Sequence, residues 1–107
     1  MILVSRYFFF RNYVGLTLWP FIILKSRVLK SDKVLLNHEK IHLRQQKELL
    51  LLPFYLWYFT EWLIRYCLYH DAYTAYLNIS FEREAYTHES DLRYLDGRTT
   101  LNFIKYL

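Results

Sequence analysis

The sequence predicts a predominantly helical α+β domain, and three observations carry that prediction. Leu35, His38, Ile41, His42, Gln45 and Leu49 recur at three- and four-residue intervals, which is the period of an amphipathic helix. Residues 2–10 and 14–24 are rich instead in aromatic and β-branched types. Only two glycines and two prolines occur in 107 residues, too few for a loop-rich or linker-rich chain. No internal repeat or low-complexity tract divides the chain, so residues 1–107 read as one compact domain with little stability to spare.

Taken in order, residues 2–10 and 14–24 predict a small β-hairpin, with Asn12 and Gly15 as turn residues between them. Pro20 cannot donate to a ladder, so the second strand is expected at an edge. Ser31 or Asp32 offers an N-cap for a helix running to about residue 50. Lys33, Lys40, Arg44 and Lys47 fall mostly away from its apolar stripe. Pro53 is expected to break this helix and begin a second, running to about residue 68. A short helix from Asp71 follows. Ser80 then caps a helix through Glu82 to about residue 95, ended by Gly97, and a last short helix spans 99–106.

Composition narrows the classes of function. A chain that is 54% hydrophobic and 21% aromatic is neither disordered nor collagen-like. Eleven tyrosines and three tryptophans suit surfaces that are apolar at one end and wet at the other, such as clefts and membrane interfaces. The formal charge of +4 permits an anionic partner without demanding one. Basic residues are scattered without a recognition motif, so no nucleic-acid partner is expected. Cys67, alone in an apolar run, reads as a buried core residue in a reducing compartment. The start MILVSRYFFFR has neither a long apolar region nor a small-residue cleavage site, so a secretory leader is not expected. Residues 49–64 are strongly apolar, yet Pro53, Glu61 and the following Arg65 interrupt them. A core helix, or one lying at a membrane surface, suits that pattern better than a spanning helix. The expected location is cytoplasmic, with loose attachment to the inner membrane surface.

The chemistry concentrates in Asn37-His38-Glu39-Lys40-Ile41-His42, which contains HExxH. On a helix, positions i and i+4 lie roughly 40° apart and one turn along, so both imidazoles can reach one ion. Both histidines belong to the apolar stripe, where an imidazole needs a partner. Zinc is the expected ion, and Glu39 is the candidate general base. A catalytic zinc wants a third protein ligand and an open position. The acidic segment from Ser80 to Tyr86 offers Glu82 and Glu84, between which periodicity does not choose.

With these motifs quoted, the sequence resembles the gluzincin zinc metallopeptidases, which carry HExxH on one helix and a ligand Glu on a later one. The chain's length is similar to that of the minimal soluble minigluzincins, and its central apolar segment to that of membrane-embedded members. In the family the ligand Glu is commonly followed at +3 by a small residue. Glu82 with Ala85 has that spacing, so the resemblance implies His38, His42 and Glu82 as zinc ligands. At +4, where the family often has an Asp bonded to a ligand histidine, this chain has Tyr86. The Tyr86 hydroxyl either takes that role or faces the substrate, and Tyr86 is a candidate catalytic residue on that basis.

Weaker candidates remain. Glu61 either pairs with Arg65 at i+4 or orients a ligand histidine. His70 and His88 suit the surface better than an oxyanion site, Gln45 could line the site floor, and the tyrosines of 66–76 suit packing. Three functions follow from these residues. A zinc peptidase would seat an extended peptide or protein substrate along the strand edge near residues 16–24. A non-catalytic zinc staple would turn binding energy into folding energy. A membrane-peripheral interaction protein would carry HExxH by chance. Nothing in the residues bears on oligomeric state.

Overall fold

The computed structural model describes residues 2–5 and 13–107. The fold is predominantly helical, with a three-stranded sheet near the N-terminus. Strands β1 (Ile2–Val4), β2 (Gly15–Leu18) and β3 (Phe21–Leu24) lie in the order β1-β3-β2. β3 is central, parallel to β1 with Leu3 opposite Ile23, and antiparallel to β2 with Thr17 opposite Ile22.

The hairpin is therefore placed differently from the sequence expectation. Residues 14–24 make two strands rather than one, reversing at Trp19–Pro20, which are joined by a cis peptide. Pro20 takes the turn because it has no N–H for a ladder. The apolar run Ile22, Ile23 and Leu24 then takes the central strand, where all three are buried. The rest of the expected first strand (6–10) and the turn residue Asn12 lie outside the described residues.

After a 3-10 turn at Arg27–Ser31, helix α1 spans Lys33–Leu49, capped by the Asp32 carboxylate, which accepts from the Leu35 N–H at 3.0 Å. The break comes at Leu50, in the left-handed region at φ 65°, not at Pro53. Pro53 sits in the first turn of α2 (Leu51–Tyr69), where the missing N–H costs nothing. Helix α3 (Ala72–Leu77) is capped by Asp71, which accepts from both the backbone N–H and the hydroxyl of Thr74.

The acidic helix expected over residues 82–95 is two helices, α4 (Ser80–His88) and α5 (Tyr94–Gly97). Asn37 of α1 supplies the reason for the division. Its Nδ2 reaches the carbonyls of His88, Glu89 and Asp91 at 3.3, 2.9 and 2.8 Å, holding the chain in a turn there. At the other end of α4, Ser80 does not cap the helix with its side chain. Glu61 of α2 does that work, accepting from the Ser80 N–H at 2.9 Å and from its hydroxyl. Glu61 is thus engaged by α4 rather than by Arg65. A 3-10 turn at Asn102–Tyr106 ends the chain in place of the last helix.

Phe54, Ile79, Phe81 and Phe103 form the helical core, with Tyr58 and Trp62 packed against it. Helix α1 packs on β2 and on α4, so the HExxH helix and the acidic helix are in direct contact. Cys67 is exposed on α2, contrary to the core position expected of it, because that helix turns much of its apolar surface outward. Among the described residues, no helix is long and apolar enough to cross a membrane.

Candidate metal centre

His38 and His42 project from one face of α1 toward α4, and both are buried. Their Nε2 atoms lie 3.1 Å apart. From α4, Oε1 of the buried Glu82 stands 3.2 Å from His38 Nε2 and 3.0 Å from His42 Nε2. One donor atom from each of the three residues lies within 4.8 Å of the others.

Hydrogen-bond accounting shows what these atoms carry. Gln45 Nε2 donates to the Phe81 carbonyl at 3.1 Å and to Glu84 Oε1 at 2.8 Å, which fixes the orientation of its amide. Gln45 Oε1 must therefore accept, and its partner is His42 Nδ1 at 2.8 Å. The proton of a neutral His42 is on Nδ1, and its Nε2 is a bare lone pair. His38 Nδ1 faces the Glu89 carboxylate at 3.5 Å, which favours the same tautomer. With both imidazoles neutral, two lone pairs and a carboxylate oxygen converge without a donor between them. Such a cluster is repulsive unless a cation enters it.

The donor set fits zinc. Bonds of about 2.0 Å in a tetrahedral site put ligand atoms roughly 3.3 Å apart, close to the separations here. Two imidazoles and one carboxylate leave a fourth position open, as catalytic zinc requires. A proton is the competing cation. Burial opposes charge on His42, but the Glu82 carboxylate, its hydrogen bond and Glu39 outweigh that and carry the pKa up to about 9. Burial likewise pushes Glu82 up, while His42 and His38 pull it well below the ordinary carboxylate range.

Each donor is held from behind. Tyr58 of α2 donates its hydroxyl to Glu82 Oε2 at 2.7 Å. His42 is held through Gln45 by Glu84, which is itself buried against the Arg98 guanidinium and the Tyr94 hydroxyl. Of the two acidic candidates on α4, the structure sets Glu82 against the histidines. Glu84 lies one layer behind, a difference that two residues of helical rotation produce and that periodicity could not resolve.

Glu39 is buried beside the cluster, with Oε2 4.0 Å from His38 Nε2. Oε1 accepts from the Thr17 hydroxyl of β2 at 2.9 Å. Burial raises its pKa, against the pull of His42, His38 and the Thr17 bond. The opposite wall is Gly15, where a Cβ would come within 3.2 Å of Glu39 Cδ and Oε2. A side chain there would make the carboxylate give way by a few tenths of an ångström.

Tyr86 is half exposed, with its ring edge-on to His38 at 4.5 Å between centroids. Its hydroxyl pairs with that of Tyr76 at 3.0 Å, so the polar partner of His42 Nδ1 is Gln45 and that of His38 Nδ1 is Glu89, at 3.5 Å. His88 bonds the Tyr106 hydroxyl and stacks on Tyr94, and His70 caps α2 in the left-handed region, exposed. Two cavities, of about 360 and 280 Å³, flank the cluster and share Tyr13, Gly15, Glu39 and Tyr76 as walls. The larger is closed by Phe54, Tyr55, Tyr58 and Trp62.

Gln46 follows the motif beside Gln45, and the sequence assigns it no role of its own. Its Nε2 donates to the Thr17 carbonyl at 2.9 Å and its Oε1 accepts from the Trp19 N–H at 2.8 Å, pinning the edge strand to α1. The adjacent pair Gln45-Gln46 was visible as polar residues on an apolar face, which is the signal that a buried network would leave.

The chain was compared with protein-family models, with curated proteins and with solved structures, and it matches none of them.

Proposed function

We propose that the protein is a zinc-dependent peptidase, with His38, His42 and Glu82 holding the metal and Glu39 as the base. One observation supports this above the others. Two imidazole nitrogens and a carboxylate oxygen converge at 3.0–3.2 Å, and a buried carboxylate with a raised pKa stands beside them. Zinc, when bound, supplies a Lewis acid that lowers the pKa of a coordinated water to about 7. Glu39 suits proton transfer, because Thr17 engages one oxygen and leaves Oε2 facing the cleft between Gly15 and His38. That oxygen takes the proton of the attacking water and returns it to the leaving amine.

The edge of β2 supports an extended peptide as substrate. Gln46 and the Tyr55 hydroxyl occupy the Thr17 carbonyl, and Gln46 also takes the Trp19 N–H, so the Gly15 end, next to Glu39, is where a peptide backbone would pair. The aromatic walls of the larger cavity favour a bulky apolar side chain near the scissile bond. A structural zinc staple would use the same three donors, but it gives no reason for Glu39 or for cavities on both sides. The likeness to gluzincins rests on motif spacing and belongs to this proposal.

The test is cleavage of a random peptide mixture, read by mass spectrometry, with zinc-loaded wild type beside zinc-loaded Glu39→Gln. Cleavage by wild type that falls about 10²–10⁴-fold in the variant, at equal zinc content, is the expected result. Equal cleavage by both would overturn the role of Glu39. Zinc held at full stoichiometry with no cleavage would favour the staple.

A further inference from the structure

Helix α2 shows one face to the site and another to solvent, and the second face is chemically unusual. Phe54, Tyr58 and Glu61 point inward, where Phe54 and Glu61 are buried. On the opposite side Leu52, Leu56, Phe59, Leu63 and Tyr66 follow one another at four- and three-residue steps, and all five are exposed. The first three are 71%, 63% and 59% exposed, so this is a continuous apolar stripe and not an occasional surface leucine. Ile64 and Leu68 widen it on one side. From Leu52 to Tyr66 the stripe runs about 21 Å along the helix.

Charge indicates what covers it. The only acidic residue of α2 is Glu61, which is turned inward onto Ser80, so the stripe presents no anion. The same asymmetry holds for the whole surface. Glu39, Glu61, Glu82 and Glu84 are buried, whereas Arg98 is the only lysine or arginine buried among the described residues. Among the described residues, eleven Lys and Arg outside the interior therefore stand against six Asp and Glu. An apolar stripe with aromatic members, on a body whose exposed charge is basic, matches the two-layer chemistry of an anionic bilayer surface.

We propose that the outer face of α2 docks in the plane of an anionic lipid bilayer. The stripe enters the boundary of headgroups and acyl chains, and the basic surface adds long-range attraction. Because the inner face of the same helix closes the larger cavity, docking sets that cavity beside the membrane. The proposal is independent of the metal and of any turnover.

The experiment is co-sedimentation of the full chain with large vesicles, either phosphatidylcholine alone or phosphatidylcholine with phosphatidylglycerol at about 3:1. Wild type is expected to pellet with the anionic vesicles, more weakly with neutral ones, and less as salt is raised. The variant Leu52→Gln/Leu56→Gln/Phe59→Gln/Leu63→Gln is expected to lose at least about a hundredfold in partition, with its circular dichroism unchanged. The pair Leu52→Gln/Leu56→Gln is expected to lose an intermediate amount, and it serves if the fourfold variant does not fold. Failure of wild type to pellet would overturn the proposal, as would equal binding to both vesicle types or variants that pellet like wild type. A wild-type dimer that ignores vesicles and falls apart in the variants would show that a second copy covers the face instead.

Discussion

Gln45 is the side chain on which the geometry of the cluster turns. It donates to α4 with one end of its amide and fixes the His42 proton on Nδ1 with the other. Leucine at this position keeps the volume and removes the bond. Gln45→Leu is expected to weaken zinc binding by about 10–100-fold, measured by competition with a chromophoric chelator. An unchanged affinity would show that the His42 tautomer is set elsewhere. Gly15→Ala acts on the other side, since its Cβ would crowd the Glu39 carboxylate from 3.2 Å. Zinc content should be retained there while turnover of any cleaved peptide falls. The pH dependence also belongs to His42. Its folded pKa, about 9, lies above the ordinary 6.5, so its contribution to the stability of the metal-free protein is complete below pH 6.5 and is lost as pH rises through 9. Bound zinc would occupy the position of that proton, so thermal melts at pH 6 and 9 should diverge for metal-free protein and stay together for zinc-loaded protein. Parallel behaviour would contradict this. His38, Glu39 and His42 were legible in the sequence because i, i+4 spacing is a local property of one helix. Gln46 and Glu84 were not, because their partners lie on β2 and beyond α5.

Helix α4 depends on a residue nearly twenty positions earlier. Glu61 accepts from both the backbone and the side chain of Ser80, and so sets where α4 begins and how Glu82 is aimed. Glu61→Ala leaves a buried helix terminus unsatisfied and is expected to destabilise the fold by about 1–3 kcal/mol, measured by urea denaturation. A change within error would mean that water or a neighbouring group replaces the cap. Helix-forming segments were read well from sequence, since their period and the Asp32 and Asp71 caps are local. The strands were read less well. The parallel pairing of β1 with β3 and the turn at Trp19–Pro20 arise from which run is apolar enough for the central position, a choice made in three dimensions. The division between α4 and α5 was hidden for the same reason, because Asn37 imposes it from α1.

The molecule as a whole combines a small aromatic core with a buried polar network of unusual extent. Among the described residues, every buried side-chain nitrogen or oxygen has a polar atom within hydrogen-bonding distance. The fold class was legible because composition and period reflect bulk partition between core and solvent. The outward face of α2 was ambiguous, since an apolar helix reads alike in a core or at an interface. Zinc would join α1 to α4 across the centre of this small domain, so chelation is expected to lower the melting temperature by several degrees. A melting temperature indifferent to chelator would mean that the donors stand together without a metal's help.

The most direct measurement is zinc content by elemental analysis after native purification and again after incubation with the metal, for wild type, His38→Ala and Glu39→Gln. One zinc per chain is expected in wild type and Glu39→Gln, and its loss in His38→Ala. No zinc in wild type under either condition, or full zinc in His38→Ala, would contradict it.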